Sequence, residues 1–200
     1  ADNIRNTLKN NSLSKISKDY ENFYANYYNQ IAATQKPEIE DDLDKNEIIV
    51  REFYKIDSIW VPYEDKKGYI AMSFTPTNPR DILYVEYPQE RKPNYYLPHP
   101  ASREHEFIVN LPEPWTIINE ENEISNEYFY YDYSIKYNNL KKQLRLKYYF
   151  KNQKSAVNAE DILSYANQLD KINQSFGYTL YIPEDGNLDL QAISSGFGEK

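Results

Sequence analysis

Apolar and polar residues recur along this chain in two periods. From about Ser12 to Ala33, Leu13, Ile16, Tyr20, Phe23, Tyr24, Tyr27 and Ile31 draw one stripe in steps of three and four, which predicts a helix. Pro37 and the acidic run from Glu38 to Asp44 end it. The period then changes to two. Ile48, Val50, Tyr54 and Ile56 alternate with Glu47, Ile49, Arg51, Phe53 and Lys55, which predicts a strand from about Asn46 to Asp57. Between Lys66 and Arg103, six prolines forbid a long helix or a central strand, although Ile82 to Tyr87 reads as one short strand. His105, Phe107, Val109 and Leu111 then mark a strand closed by Pro112, and Trp115 to Ile118 reads as a second, short one.

The clearest signal is a hairpin. Phe129, Tyr131, Tyr133, Ile135 and Tyr137 alternate with polar positions up to Asn138-Asn139, a pair that tolerates positive φ. Leu144, Leu146, Tyr148 and Phe150 alternate on the return. One apolar and one polar face suits an antiparallel sheet with one side in water. Asn158 followed by Glu160 and Asp161 reads as a capped helix start. Ile162, Leu163, Ala166, Leu169, Ile172 and Phe176 carry its stripe to Gly177, a natural stop, before a short strand from Tyr178 to Ile182. The expected architecture is mainly β with flanking helices (α+β). Residues 1–37 read as an N-terminal helix and connector, 38–182 as an antiparallel β-sandwich with a helix over about 158–176, and 183–200 as a loose tail.

Composition narrows the chemistry. The 31 Asp and Glu outnumber the 23 Lys and Arg, for a net charge of −8 over 200 residues. A surface this acidic is poorly suited to nucleic acid or an anionic bilayer. No apolar run approaches the roughly 20 residues of a membrane-spanning helix. Lys141, Lys142, Arg145, Lys147 and Lys151 form a basic strip beside Tyr149, which reads as a solvated sheet face. The absence of cysteine removes disulfides, thiolate metal sites and a cysteine nucleophile. His99 and His105 are the only imidazoles, and no Gly-x-Ser-x-Gly elbow accompanies them. Asp42, Asp44 and Asn46 start a calcium-loop pattern that fails at Glu47 and Phe53, where glycine and a bidentate glutamate belong. No metal or cofactor is therefore expected.

Tyrosine is the compositional anomaly, at 21 residues, beside 21 Asn and 17 Lys but only 6 Arg. Much of this fits AT-rich codon usage, with Tyr standing in for other apolar residues on half-buried faces. The tyrosines that escape the apolar pattern are chiefly Tyr95, Tyr96, Tyr130 and Tyr149. With Trp60, His99 and Trp115, in or beside proline-rich loops, they make up the candidate binding residues.

Several strings stand along the chain in a distinctive order. Asp41-Asp42, Asn46, Ile48, Val50, Glu52, Tyr54 and Ile56 precede Trp60; Leu97-Pro98-His99-Pro100, Leu111-Pro112 and Trp115 follow; Val157, Ala159-Glu160-Asp161, Tyr165 and Phe176-Gly177-Tyr178-Thr179-Leu180 close the series. From about Asp19 to Ile182 the chain resembles the region C-terminal to the catalytic core in bacterial transglutaminase-like proteins that also carry an N-terminal β-sandwich of unknown function. The resemblance implies a non-catalytic accessory domain that positions, shields or binds a protein or peptide substrate for a transglutaminase- or protease-like core. That core's Cys-His-Asp triad has no counterpart here, since cysteine is missing. The resemblance also implies a periplasmic or secreted setting. Ala1, with no charged-then-apolar leader before it, reads as a processed end or a boundary inside a longer protein. Two rivals stand beside this expectation. One is an independent secreted β-sandwich that binds glycan or peptide through exposed aromatics. The other is a hydrolase with two acids converging in a pocket.

Overall fold

The computed structural model describes residues 2–57, 59–78, 82–86, 92–174 and 176–185. The fold is mainly β, built from antiparallel pairs with three α-helices among the described residues. It divides into two compact units between Trp60 and Val61. The strands over 38–56, expected to belong to the sandwich, therefore lie in the same unit as the first helices.

The N-terminal unit begins with α1 (Asp2–Asn10) and α2 (Leu13–Tyr24). The Ser12 side chain caps α2 by accepting the Lys15 N–H. The helix stripe runs on to Ile31 in sequence, but the helix stops at Tyr24. Turns then lead through Gln30, at φ 55°, into β1 (Ile31–Ala33). Pairing explains the change, because Ile31 sits opposite Ile56 of β4 (Tyr54–Ile56). The single strand expected over 46–57 is also two. β3 (Glu47–Arg51) pairs with β2 (Glu38–Asp42), while β4 pairs with β1, and Glu52-Phe53 carries the chain between the two ribbons.

The C-terminal unit is organised around a four-stranded sheet in the order β8 (Ala101–Asn110), β11 (Gln143–Asn152), β10 (Phe129–Asn138), β9 (Glu120–Ser125). The expected hairpin forms in register, with Tyr131 opposite Phe150 and Tyr133 opposite Tyr148. Its positive φ falls on Lys142, at 51°, instead of on the Asn pair, because four residues make the turn. The inner face is dry. Phe129, Tyr131, Ile135, Leu144, Leu146, Tyr148 and Phe150 are each at most 1% exposed.

Two layers cover that face. The α3 helix (Ile162–Gln174) sets Tyr165 edge-on against Phe129 at 5.8 Å. A three-stranded sheet of β13 (Tyr178–Pro183), β6 (Tyr69–Phe74) and β5 (Val61–Pro62) meets the first sheet where Phe74 packs on Phe107 at 5.6 Å. Gly177 is required at the junction. Its φ is +133°, and a Cβ there would stand 3.0 Å from the Phe74 carbonyl oxygen. A two-residue pair, β7 (Tyr95–Tyr96) with β12 (Ala156–Val157), completes the strands.

Several expectations change. Residues 82–86 form a short helical turn and bends, and Tyr87 lies outside the described residues. The segment 115–118 is irregular, and the strand comes later as β9, whose acidic sequence lacks an apolar alternation. Asn158 makes no side-chain cap. The Ala159 N–H is taken instead by Asn94 Oδ1, at 3.0 Å, from far away in the chain. Of the expected tail, Pro183 closes β13, and residues 186–200 lie outside the described residues.

Candidate functional site on the outer sheet face

The hairpin that buries Tyr131 and Tyr148 must turn their neighbours outward, since successive side chains of a strand alternate faces. Tyr130 and Tyr149 thus share the outer face, diagonal across β10 and β11, with ring centroids 6.1 Å apart and planes tilted by 59°. The Tyr130 hydroxyl donates to Glu123 Oε2 at 3.0 Å, and this bond, with some burial, pushes its pKa up to about 12. Asp132 lies between Tyr149 and Glu123 in the ladder. Partial burial raises its carboxyl above the usual range, against the Tyr130 hydrogen bond and the Lys147 charge, which pull it down.

The part of the basic strip that lies on β11 crosses the same face, and two of its cations meet acids of β8. Lys147 pairs with Glu104 at 3.0 Å, Arg145 with Glu106 at 2.9 Å and Lys136 with Glu121 at 3.6 Å. Lys142 Nζ turns aside to the Pro112 carbonyl at 3.0 Å. A run of cations on β11 thus becomes a mixed lattice, because both edge strands supply acids. Such a face offers alternating donors, acceptors and two ring edges to a polar ligand, with no strong field of one sign.

The other sequence candidates are dispersed. Tyr96 is 80% exposed on β7. Its neighbour Tyr95 is half-buried and lies within electrostatic range of the buried Tyr165. His99 is exposed in the loop before β8. Trp115 is only 6% exposed and donates its backbone N–H to the Tyr137 hydroxyl, so it belongs to the core and not to a binding face. Trp60 is half-buried in the N-terminal unit. Of the seven, ring contact joins Tyr130 and Tyr149.

A histidine and a glutamate outside this face are shifted by burial. His105 faces inward with its ring 4.4 Å from that of Phe107, and burial lowers its pKa to about 4. In the N-terminal unit, Glu52 occupies a narrow niche lined by Ser17, Tyr20, Pro37 and Tyr54. Burial raises its pKa, although the Tyr54 hydroxyl donates to it at 2.6 Å. Among the described residues, Glu52 is the one acid lining that niche, whereas a glycosidase-type mechanism needs two. Among the described residues, no three His, Asp or Glu side chains converge as a metal-holding group. No described helix is long and apolar enough to cross a membrane.

Sequence reasoning could find Tyr130 and Tyr149, because they stand at polar positions of an alternating hairpin. It named Lys147 as part of a solvated basic strip and missed Glu104, Glu123 and Asp132 around it. Their signal is the ladder register, which requires knowing that β8 and β9 flank the hairpin. Comparison with protein-family models, curated proteins and solved structures finds no match.

Proposed function

We propose that this chain is a non-catalytic accessory module of a larger transglutaminase- or protease-like bacterial protein, and that it holds a polypeptide substrate against its outer sheet face. The observation that carries the reading is the Tyr130–Tyr149 pair, set among ion pairs on a rigid four-stranded sheet. Tyrosines fixed in this way supply contact area and hydrogen bonding at low entropic cost.

The test has two arms. The purified chain, incubated with amine and glutamine donors, is expected to show no turnover; turnover that disappears in His99→Ala overturns the reading. On an array of Gln- and Lys-containing peptides, the Tyr130→Ala/Tyr149→Ala double variant is expected to lose at least about fivefold in affinity. Unchanged binding moves the site elsewhere. A second reading, glycan binding, draws on the carboxylates of Glu104 and Asp132 facing Tyr149 in the ladder. An oligosaccharide array that retains the chain while peptides do not would favour it.

A further inference from the structure

We propose that β9 and α3 form a docking groove for an extended Lys/Arg-bearing polypeptide segment, which adds to the four-stranded sheet as a fifth strand beyond β9. The proposal deepens the reading above by naming the class of substrate, and it rests on that reading.

The backbone comes first. β9 pairs with β10 on one side and stands at the end of its sheet. The Asn126 N–H donates to the Phe129 carbonyl, which sets the even-numbered residues of β9 toward β10. By the alternation of an antiparallel ladder, the N–H and C=O groups of Glu121, Glu123 and Ser125 then point away from the sheet. The Glu123 N–H meets the Asn122 side-chain oxygen at 2.9 Å. The outward groups of Glu121 and Ser125 have no strand partner among the described residues. An edge of this kind is a template for an incoming strand.

A groove lies beside that edge. Ile124 and Leu163 provide its apolar surface, with Leu163 46% exposed; Glu160, Ser164, Gln168 and Lys171 add polar walls around a volume of about 730 Å³. Its two walls are tied together, since Asn126 Nδ2 donates to Gln168 Oε1 at 2.6 Å. In an added strand, every second side chain would enter this groove while the others faced outward beside Glu121 and Glu123.

Charge selects the occupant. Glu120, Glu121 and Glu123 lie on the strand and Glu160 in the groove, against Lys171 in the groove and Lys136, which reaches Glu121 from β10 at 3.6 Å, so acids outnumber cations by four to two. Cations opposite these acids are favoured cross-strand neighbours. A second copy of the same acidic edge would set like charges against each other, so self-pairing is disfavoured.

The experiment titrates the isotope-labelled full chain with an acetylated, amidated Thr-Lys-Val-Lys-Thr-Lys peptide, followed by amide NMR. The expected result is saturable binding, with the amides of Glu121 and Ser125 shifted and protected. A Glu-for-Lys peptide should bind at least about tenfold more weakly, and N-methylation of alternate peptide residues should abolish binding. Glu121→Lys and Leu163→Asp, checked for fold by their spectra, should each weaken the Lys peptide by about five- to tenfold. Equal binding of the acidic peptide, indifference to N-methylation, or no binding at millimolar peptide overturns the proposal. Perturbations confined to Tyr130 and Tyr149 also overturn it while leaving the outer-face reading intact. Turnover by the chain alone would instead sink that reading.

Discussion

In the C-terminal unit, the inner sheet face, α3 and the second sheet enclose aromatic and aliphatic side chains with almost no solvent contact. In the N-terminal unit, Ile16 and Pro37 are the buried side chains among the described residues. Polar ties do much of the holding there. Arg5 grips Asp41 through Nε and a terminal nitrogen at 2.7–3.0 Å and also reaches Asn46. Glu21 accepts the Ala33 N–H at 2.8 Å, joining α2 to β1. Arg51 pairs with Glu40 across the β2–β3 ribbon. Burial of apolar area scales with contact and is indifferent to pH, whereas exposed ion pairs are weak and screened by salt. The two units should therefore respond differently to mutation, salt and acid.

The largest expected effect comes from Phe150→Ala. This ring is fully buried and stacks on Phe129 at 5.3 Å, so its loss should cost about 3–5 kcal/mol. Denaturant unfolding followed at sheet amides checks the figure, and a cost below about 1 kcal/mol would contradict the contrast between the units. His105→Leu probes the same unit through pH. The native imidazole titrates near pH 4 because of burial, while the unfolded one titrates near 6.5. The unfolded state therefore binds the proton first, and stability falls as pH drops from about 6.5 to 4, by up to about 3 kcal/mol. The leucine variant should lack that part of the slope.

Glu52→Gln gives the smallest effect and the opposite sign. Because burial raises the folded pKa of Glu52, its stabilising contribution is full below the unfolded value and is lost as pH rises through the folded one. The glutamine variant should remove this loss and stabilise the N-terminal unit at neutral pH, while Tyr54 keeps an acceptor. Hydrogen exchange of the β1 and β4 amides at pH 5 and pH 7 reads the difference. A variant less stable than the parent at pH 7 would show that the charged carboxylate is preferred in its niche.

The same contrast explains what was legible in the sequence. The β10–β11 hairpin could be read residue by residue, because a ten-residue strand with one dry face must alternate. Its outward tyrosines could be read for the same reason. The end of α2 could not, since Tyr24, Tyr27 and Ile31 continue a helical stripe that only pairing with β4 interrupts. β9 was invisible because an acidic edge strand is held by its backbone and its neighbours, not by an apolar period. The Glu123–Tyr130 bond and the groove beside α3 were hidden with it. The long-range cap from Asn94 onto Ala159 likewise has no local signal.

One indole falls in each unit: Trp60, half-buried, and Trp115, sealed in the core. Among 21 tyrosines that absorb but transfer much of their excitation, these two rings form a built-in pair of optical reporters. Selective excitation at the red edge, with Trp60→Phe and Trp115→Phe as single-reporter versions, resolves the melting of each unit within one unlabelled molecule. The protein thus supplies its own means of asking whether its two units unfold as one.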